Sequence, residues 1–119
     1  MLLERREAFG PREYPEADDF MIAQTQCHWH HLEMDMERDK RNWNQDLTQQ
    51  EKMAVERTLN GFVQAEVVIN DYWARKVTKW FPKPEIAGMA STFAAMENIH
   101  MSSYAYRSEE RRVGKECRL

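Results

Sequence analysis

Glu97 and His100 stand three residues apart in the stretch Phe93-Ala-Ala-Met-Glu-Asn-Ile-His-Met-Ser-Ser-Tyr104, and Tyr104 follows His100 by four. Positions three and four apart share one face of a helix, so Phe93, Met96, Glu97, His100, Met101 and Tyr104 read as a single stripe. Most of that stripe is apolar. A carboxylate and an imidazole set into it cost free energy unless something compensates them, and a metal ion is the usual compensation. A lone Glu-x-x-His on a helix is more often a solvated or hydrogen-bonded pair, and a second carboxylate is what changes the weighting. Glu66 lies on another helical pattern, with Leu59, Phe62, Val63 and Trp73 at seven, four, three and seven residues from it. That again places a carboxylate on an apolar face.

The elements that would bring these groups together are set by the break between the two patterns. Trp80-Phe-Pro-Lys-Pro84 carries two prolines within three residues, and such a pair opposes a continuous helix. Glu66 lies 16 residues before Pro82 and Glu97 lies 15 after it. An antiparallel hairpin folded at that point has arms of nearly equal length, which predicts both carboxylates at the same height. Glu66, Glu97 and His100 can then converge on one ion. Such a set is half of a carboxylate-bridged dimetal site, which in helical bundles takes a Glu from each of two helices and a Glu-x-x-His from each of two others.

Other signals fix the limits of the two arms. Thr48-Gln-Gln-Glu51 is a capping box, a pattern in which the Thr side chain and the Glu three residues on satisfy free backbone amides. It predicts a long helix from there to about Lys79. Pro84 suits the first turn of the next helix, where its missing N–H is not needed, and that helix is expected to run through Tyr106. Upstream, residues 1–16 read as an irregular lead-in. Phe20, Ile22, Ala23 and Cys27 favour a short first helix from Ala17 to about Trp29. The charged segment Trp29 to Trp43 shows no clean periodicity. Its histidines, His28, His30 and His31, are poor candidates for a metal cluster, because adjacent residues on a helix or strand point in different directions.

The chain has 119 residues, a formal charge of −3 and 42% hydrophobic residues. That is one small domain at most. The mild acidity argues against a nucleic-acid surface. No apolar run reaches the roughly 18 residues of a membrane span, and no signal-peptide pattern opens the chain. Cys27 and Cys117 do not make a disulfide framework, so a cytoplasmic, reducing setting is expected.

After Tyr106 the apolar stripe stops. Residues 107–119 carry five basic and three acidic side chains. Arg107 to Arg118 also looks like the translation of a common sequencing-library adapter, and residues 107–119 are therefore expected to be a non-native tail.

With Glu66, Glu97, His100 and Tyr104 placed, residues 12–106 resemble the small, radical-generating subunit of class I ribonucleotide reductase. Met96-Glu-Asn-Ile-His-Met-Ser-Ser-Tyr104 is similar to that family's motif, including the tyrosine four residues after the histidine. Cys27-His-Trp-His-His-Leu-Glu-Met-Asp-Met-Glu-Arg-Asp39 is similar to the segment carrying the family's radical-relay tryptophan, which would be Trp29. The resemblance implies an all-α, ferritin-like helical bundle, of which residues 17–106 would form the N-terminal half: a long antiparallel hairpin plus a short N-terminal helix. It implies that Glu66, Glu97 and His100 bind the first ion of a dinuclear centre, with iron favoured and manganese or a mixed pair as alternatives. It implies a radical on Tyr104 that passes through Trp29 to the large, catalytic subunit, which reduces ribonucleotides to deoxyribonucleotides, and a homodimer of small subunits. Many members have Asp where this chain has Glu66, and Glu there goes with variants of different metal content. The ligands of the second ion would lie beyond Tyr106, so the 119-residue polypeptide alone is expected to be inactive and poorly soluble.

Three other readings stay open on the residues. One is a different dimetal-carboxylate oxygenase or ferritin-type store, which has no need of Tyr104 and Trp29. Another is a non-enzymatic helical module whose stripe is only core. In the third, Tyr104 merely packs and the metal centre itself is the oxidant.

Overall fold

The computed structural model describes residues 1–112, with side chains described through Ser108. Residues 113–119, the greater part of the stretch read as non-native, lie outside the described residues. The regular structure is all-α, with no strand among the described residues. No helix among them is long and apolar enough to cross a membrane. The chain divides into two compact units, Met1–His28 with Val67–Asn98, and Trp29–Glu66 with the chain from Ile99. Two long helices contribute to both: α3 (Gln49–Asp71) and α5 (Pro84–Arg112).

In the first unit, α1 (Pro15–Gln26) begins two residues before the expected Ala17, because Pro15 occupies its first turn. It ends before the expected Trp29, where the Cys27 N–H donates to the Gln24 carbonyl at 3.1 Å. After α3 the chain stays helical to Trp80, but not as the uniform α-helix the periodicity predicts. Tyr72–Val77 is a π-helical segment, followed by the single turn α4 (Thr78–Trp80). Aromatic rings pack along the π-helical segment: Tyr72 meets Trp73 edge-on at 5.0 Å, and Trp73 meets Phe93 edge-on at 4.8 Å. The prolines then break the helix where expected, and Pro84 opens α5. Ala17, Val77, Ile86 and Ala90 form the buried core, with Tyr14, Trp73, Phe81 and Met89 packed against it.

The lead-in is irregular up to Pro15, as expected, yet it is tied down. Glu85, in the first turn of α5, has a side chain with no exposed surface. It accepts from the Arg6 guanidinium and from the backbone N–H groups of Glu13 and Tyr14 at 3.1 and 3.2 Å. The Arg6 N–H donates to the Pro82 carbonyl at 3.2 Å. Lys83, 2% exposed, donates to Glu13 at 2.9 Å. Two buried charges at the bend thus hold the N-terminal segment. Burial alone would raise the Glu85 pKa, but hydrogen bonds from its own backbone amide, Arg6, Tyr14 and Glu13 outweigh that and lower it to about 2.

In the second unit, an extended residue, His30, leads into a 3₁₀ turn, His31–Glu33. Then comes α2 (Glu37–Gln45), which the charged sequence conceals. Its buried residue is Trp43, and Met36, just before the helix, is also buried. The two lie seven positions apart, two turns on one face. The capping box forms as the sequence predicts: the Thr48 N–H donates to Glu51 Oε2 at 2.7 Å, and the Glu51 N–H donates to Thr48 Oγ1 at 3.2 Å. The bond from the Thr48 N–H, together with one from the Thr48 hydroxyl at 3.0 Å, holds the Glu51 carboxyl below its ordinary pKa. Thr48→Ala is expected to cost about 1 kcal/mol, measurable as a lower denaturation midpoint at unchanged slope.

α5 continues past Tyr106 to Arg112. Its apolar stripe does stop there, but Arg and Glu are good helix formers and carry the helix on. Ser108 Oγ donates to the Tyr104 carbonyl at 3.0 Å, and Arg107 pairs with Asp39 at 2.7 Å. Large apolar side chains remain exposed, among them Phe20, Phe62, Val67, Val68, Ile69 and Trp80.

Candidate metal site

α3 and α5 meet through pairs of side chains that share one register. In the first unit Trp73 meets Phe93. In the second, Glu66 Oε1 lies 3.8 Å from His100 Nδ1, and the Phe62 and Tyr104 rings lie 5.4 Å apart. Each of these pairs is centred on residue 83, one position after the expected pivot at Pro82. The level partner of Glu66 is therefore His100. Glu97 stands one turn nearer the bend along α5, with a carboxylate oxygen within 4.8 Å of a His100 ring nitrogen.

The Glu66 side chain is 13% exposed and that of His100 39%, so the carboxylate is largely removed from water while the imidazole is reachable. Two carboxylates and an imidazole are hard oxygen and nitrogen donors, suited to iron, manganese or zinc rather than to soft cations. The donor set fits one end of a dinuclear centre.

The other residues singled out in the sequence fall close by. Trp29 stacks on His100, with ring centroids 6.1 Å apart and planes 27° from parallel. Tyr104 sits one turn after His100 on α5. The neighbouring histidines have other partners: His30 Nδ1 accepts from the Leu32 N–H at 3.2 Å, His30 and His31 stack at 4.4 Å, and His31 meets Tyr106 edge-on at 5.8 Å.

One positioning group escaped the sequence reading. Asn70, one turn after Glu66 on α3, donates to the Ala94 carbonyl at 2.8 Å and to Asn98 Oδ1 at 3.2 Å. This side-chain amide ties α3 to α5 by direct hydrogen bonds. Its one visible signal was a polar residue a turn away from another polar residue on a mostly apolar face.

An all-α chain that brings carboxylates and an imidazole together between two long helices has the arrangement from which helical bundles build metal sites. More narrowly, the ribonucleotide reductase small chain family matches residues 6–110, and the chain belongs to that family. The matched range takes in four residues of the stretch expected to be non-native. The probable ribonucleoside-diphosphate reductase small subunit of Invertebrate iridescent virus 3 is 30% identical over 105 residues, 88% of this chain and 28% of that protein. Its counterpart from Invertebrate iridescent virus 6 is 26% identical over 105 residues, 29% of its length. The chain thus spans less than a third of the relatives it matches.

Proposed function

We propose that this chain is part of the small subunit of ribonucleoside-diphosphate reductase, in which Glu66, Glu97 and His100 hold one ion of a dinuclear iron or manganese centre. The approach of Glu66 to His100 at 3.8 Å, within a chain of this family, is the observation that carries the reading. When bound, the metal centre supplies a one-electron oxidant, the kind of chemistry a cofactor contributes and side chains cannot.

The chain's own residues then have distinct tasks. Glu66 and Glu97 supply negative charge to the cation, and His100 supplies a neutral nitrogen. Tyr104, one turn from His100, is the phenol placed to lose an electron and a proton. Trp29, stacked on His100, is placed to relay that oxidising equivalent toward the large subunit, where ribonucleotide is reduced. The full-length subunit acts as a homodimer in the cytoplasm.

The test is Tyr104→Phe in the full-length subunit, supplied with ferrous iron and oxygen and followed by electron paramagnetic resonance. The unsubstituted protein is expected to show a tyrosyl signal, and the variant to lose it while retaining its metal. A second reading, in which Tyr104 only packs and the metal centre is itself the oxidant, is favoured by Glu rather than Asp at position 66. Under it, the variant keeps its capacity to support nucleotide reduction.

A further inference from the structure

We infer that Phe62 is a positioning residue for Tyr104: its ring fixes the rotation of the phenol beside the metal ligands. The inference rests on the reading of Tyr104 as the oxidised residue.

Phe62 precedes Glu66 by four residues on α3, and Tyr104 follows His100 by four on α5. The Glu66–His100 and Phe62–Tyr104 pairs are therefore successive rungs of one ladder, about 6 Å apart along the helices. The first rung carries ligands, and the second carries the phenol and its neighbour. The Phe62 and Tyr104 centroids lie 5.4 Å apart with planes 40° from parallel, within the range of favourable aromatic pairs.

Rotation about the Cβ–ring bond of a tyrosine is broad and roughly two-fold, so the backbone of α5 does not by itself fix it. A planar neighbour on the facing helix does. Phe62 has no hydrogen-bonding group, and it offers nothing to the phenol oxygen except a surface to lean on. It is 48% exposed, so its contribution is orientation rather than enclosure.

Ring rotation has a direct spectroscopic readout. In a tyrosyl radical, the coupling of the unpaired electron to the two Cβ protons depends on the angle between each C–H bond and the ring plane. The experiment compares full-length subunits bearing Phe62, Phe62→Ala and Phe62→Leu, each loaded with ferrous iron and exposed to oxygen. Both variants are expected to bind the parent's complement of metal and to form the radical, because Phe62 is no ligand. Their spectra should lose the resolved Cβ-proton splitting of the parent, smeared by a spread of ring angles, while Phe62→Tyr, which retains a ring, keeps it. A parent-like splitting in both Phe62→Ala and Phe62→Leu would overturn the inference. Absence of any tyrosyl signal from the parent would instead overturn the reading of Tyr104 on which it rests. Phe62→Leu keeps the apolar bulk without the plane, so loss of splitting there cannot come from a collapsed helix pair.

Discussion

Glu85→Ala is expected to destabilise the protein by about 3 kcal/mol, the scale for removing one partner of a buried ion pair. The loss has two parts. The Arg6 guanidinium, 13% exposed, keeps its charge but loses its principal counter-charge. The part-buried backbone N–H groups of Glu13 and Tyr14 lose their acceptor at the same time, and two lost hydrogen bonds to a charged group add to the cost. The segment before α1 should then detach from the bend, detectable as faster amide exchange through Glu13 and Tyr14. The same carboxylate makes stability depend on acid. Its folded pKa is about 2 against an ordinary 4.5, so the unfolded chain binds the proton more readily. The contribution is complete above pH 4.5 and is lost as pH falls from there toward 2. Glu85→Gln, which cannot ionise, should flatten that part of the stability profile. A variant with the parent's acid dependence would show that the buried pair does not govern it.

Local signals were the legible part of this sequence. Thr48 and Glu51 are three residues apart and satisfy each other, so nothing distant is needed to read the start of α3. Pro82 and Pro84 act through the covalent backbone and mark the bend and the first residue of α5 without reference to packing. The meeting of Glu66 with His100 was readable because both arms are helical over most of their length, so distance from the bend translates roughly into height. The same arithmetic put Glu97 level with Glu66, whereas the side-chain rungs put His100 there. Three residues, about one turn, separate the two outcomes, and counting from a proline cannot resolve that difference.

What stayed hidden depends on partners far away in sequence. Glu85 looks like an ordinary acidic residue in the first turn of a helix, where a carboxylate suits the dipole. Its main partner, Arg6, is 79 positions away, and no periodicity connects them. α2 was concealed by composition: between Met36 and Trp43 its residues are almost all charged or polar, so its one buried face shows only at its two ends. The π-helical segment left no trace either, since Tyr72 to Val77 fit an α pattern as well. The change of pitch becomes visible only once Trp73 meets Phe93 on the other arm.

Glu66→Ala in the full-length subunit is expected to lower metal affinity at the site by at least roughly a hundredfold, since loss of a supporting group alone costs 10- to 100-fold. The reason is both charge and place. Glu66 is the contribution of α3 to a set whose other members, Glu97 and His100, come from α5. Without it, α5 alone supplies what is left of this three-residue set, and the cation loses an anionic oxygen that the fold holds 3.8 Å from the imidazole. Glu66→Asp separates the two factors. It keeps the charge but withdraws the oxygens by one methylene, and the resemblance to family members with Asp at this position implies that it still binds. Metal content after desalting should therefore fall sharply for Glu66→Ala and little for Glu66→Asp, with the helical signal unchanged in both. Equal metal in the parent and Glu66→Ala would mean that Glu66 and His100 meet only as a polar contact between the helices and that Glu66 is no ligand.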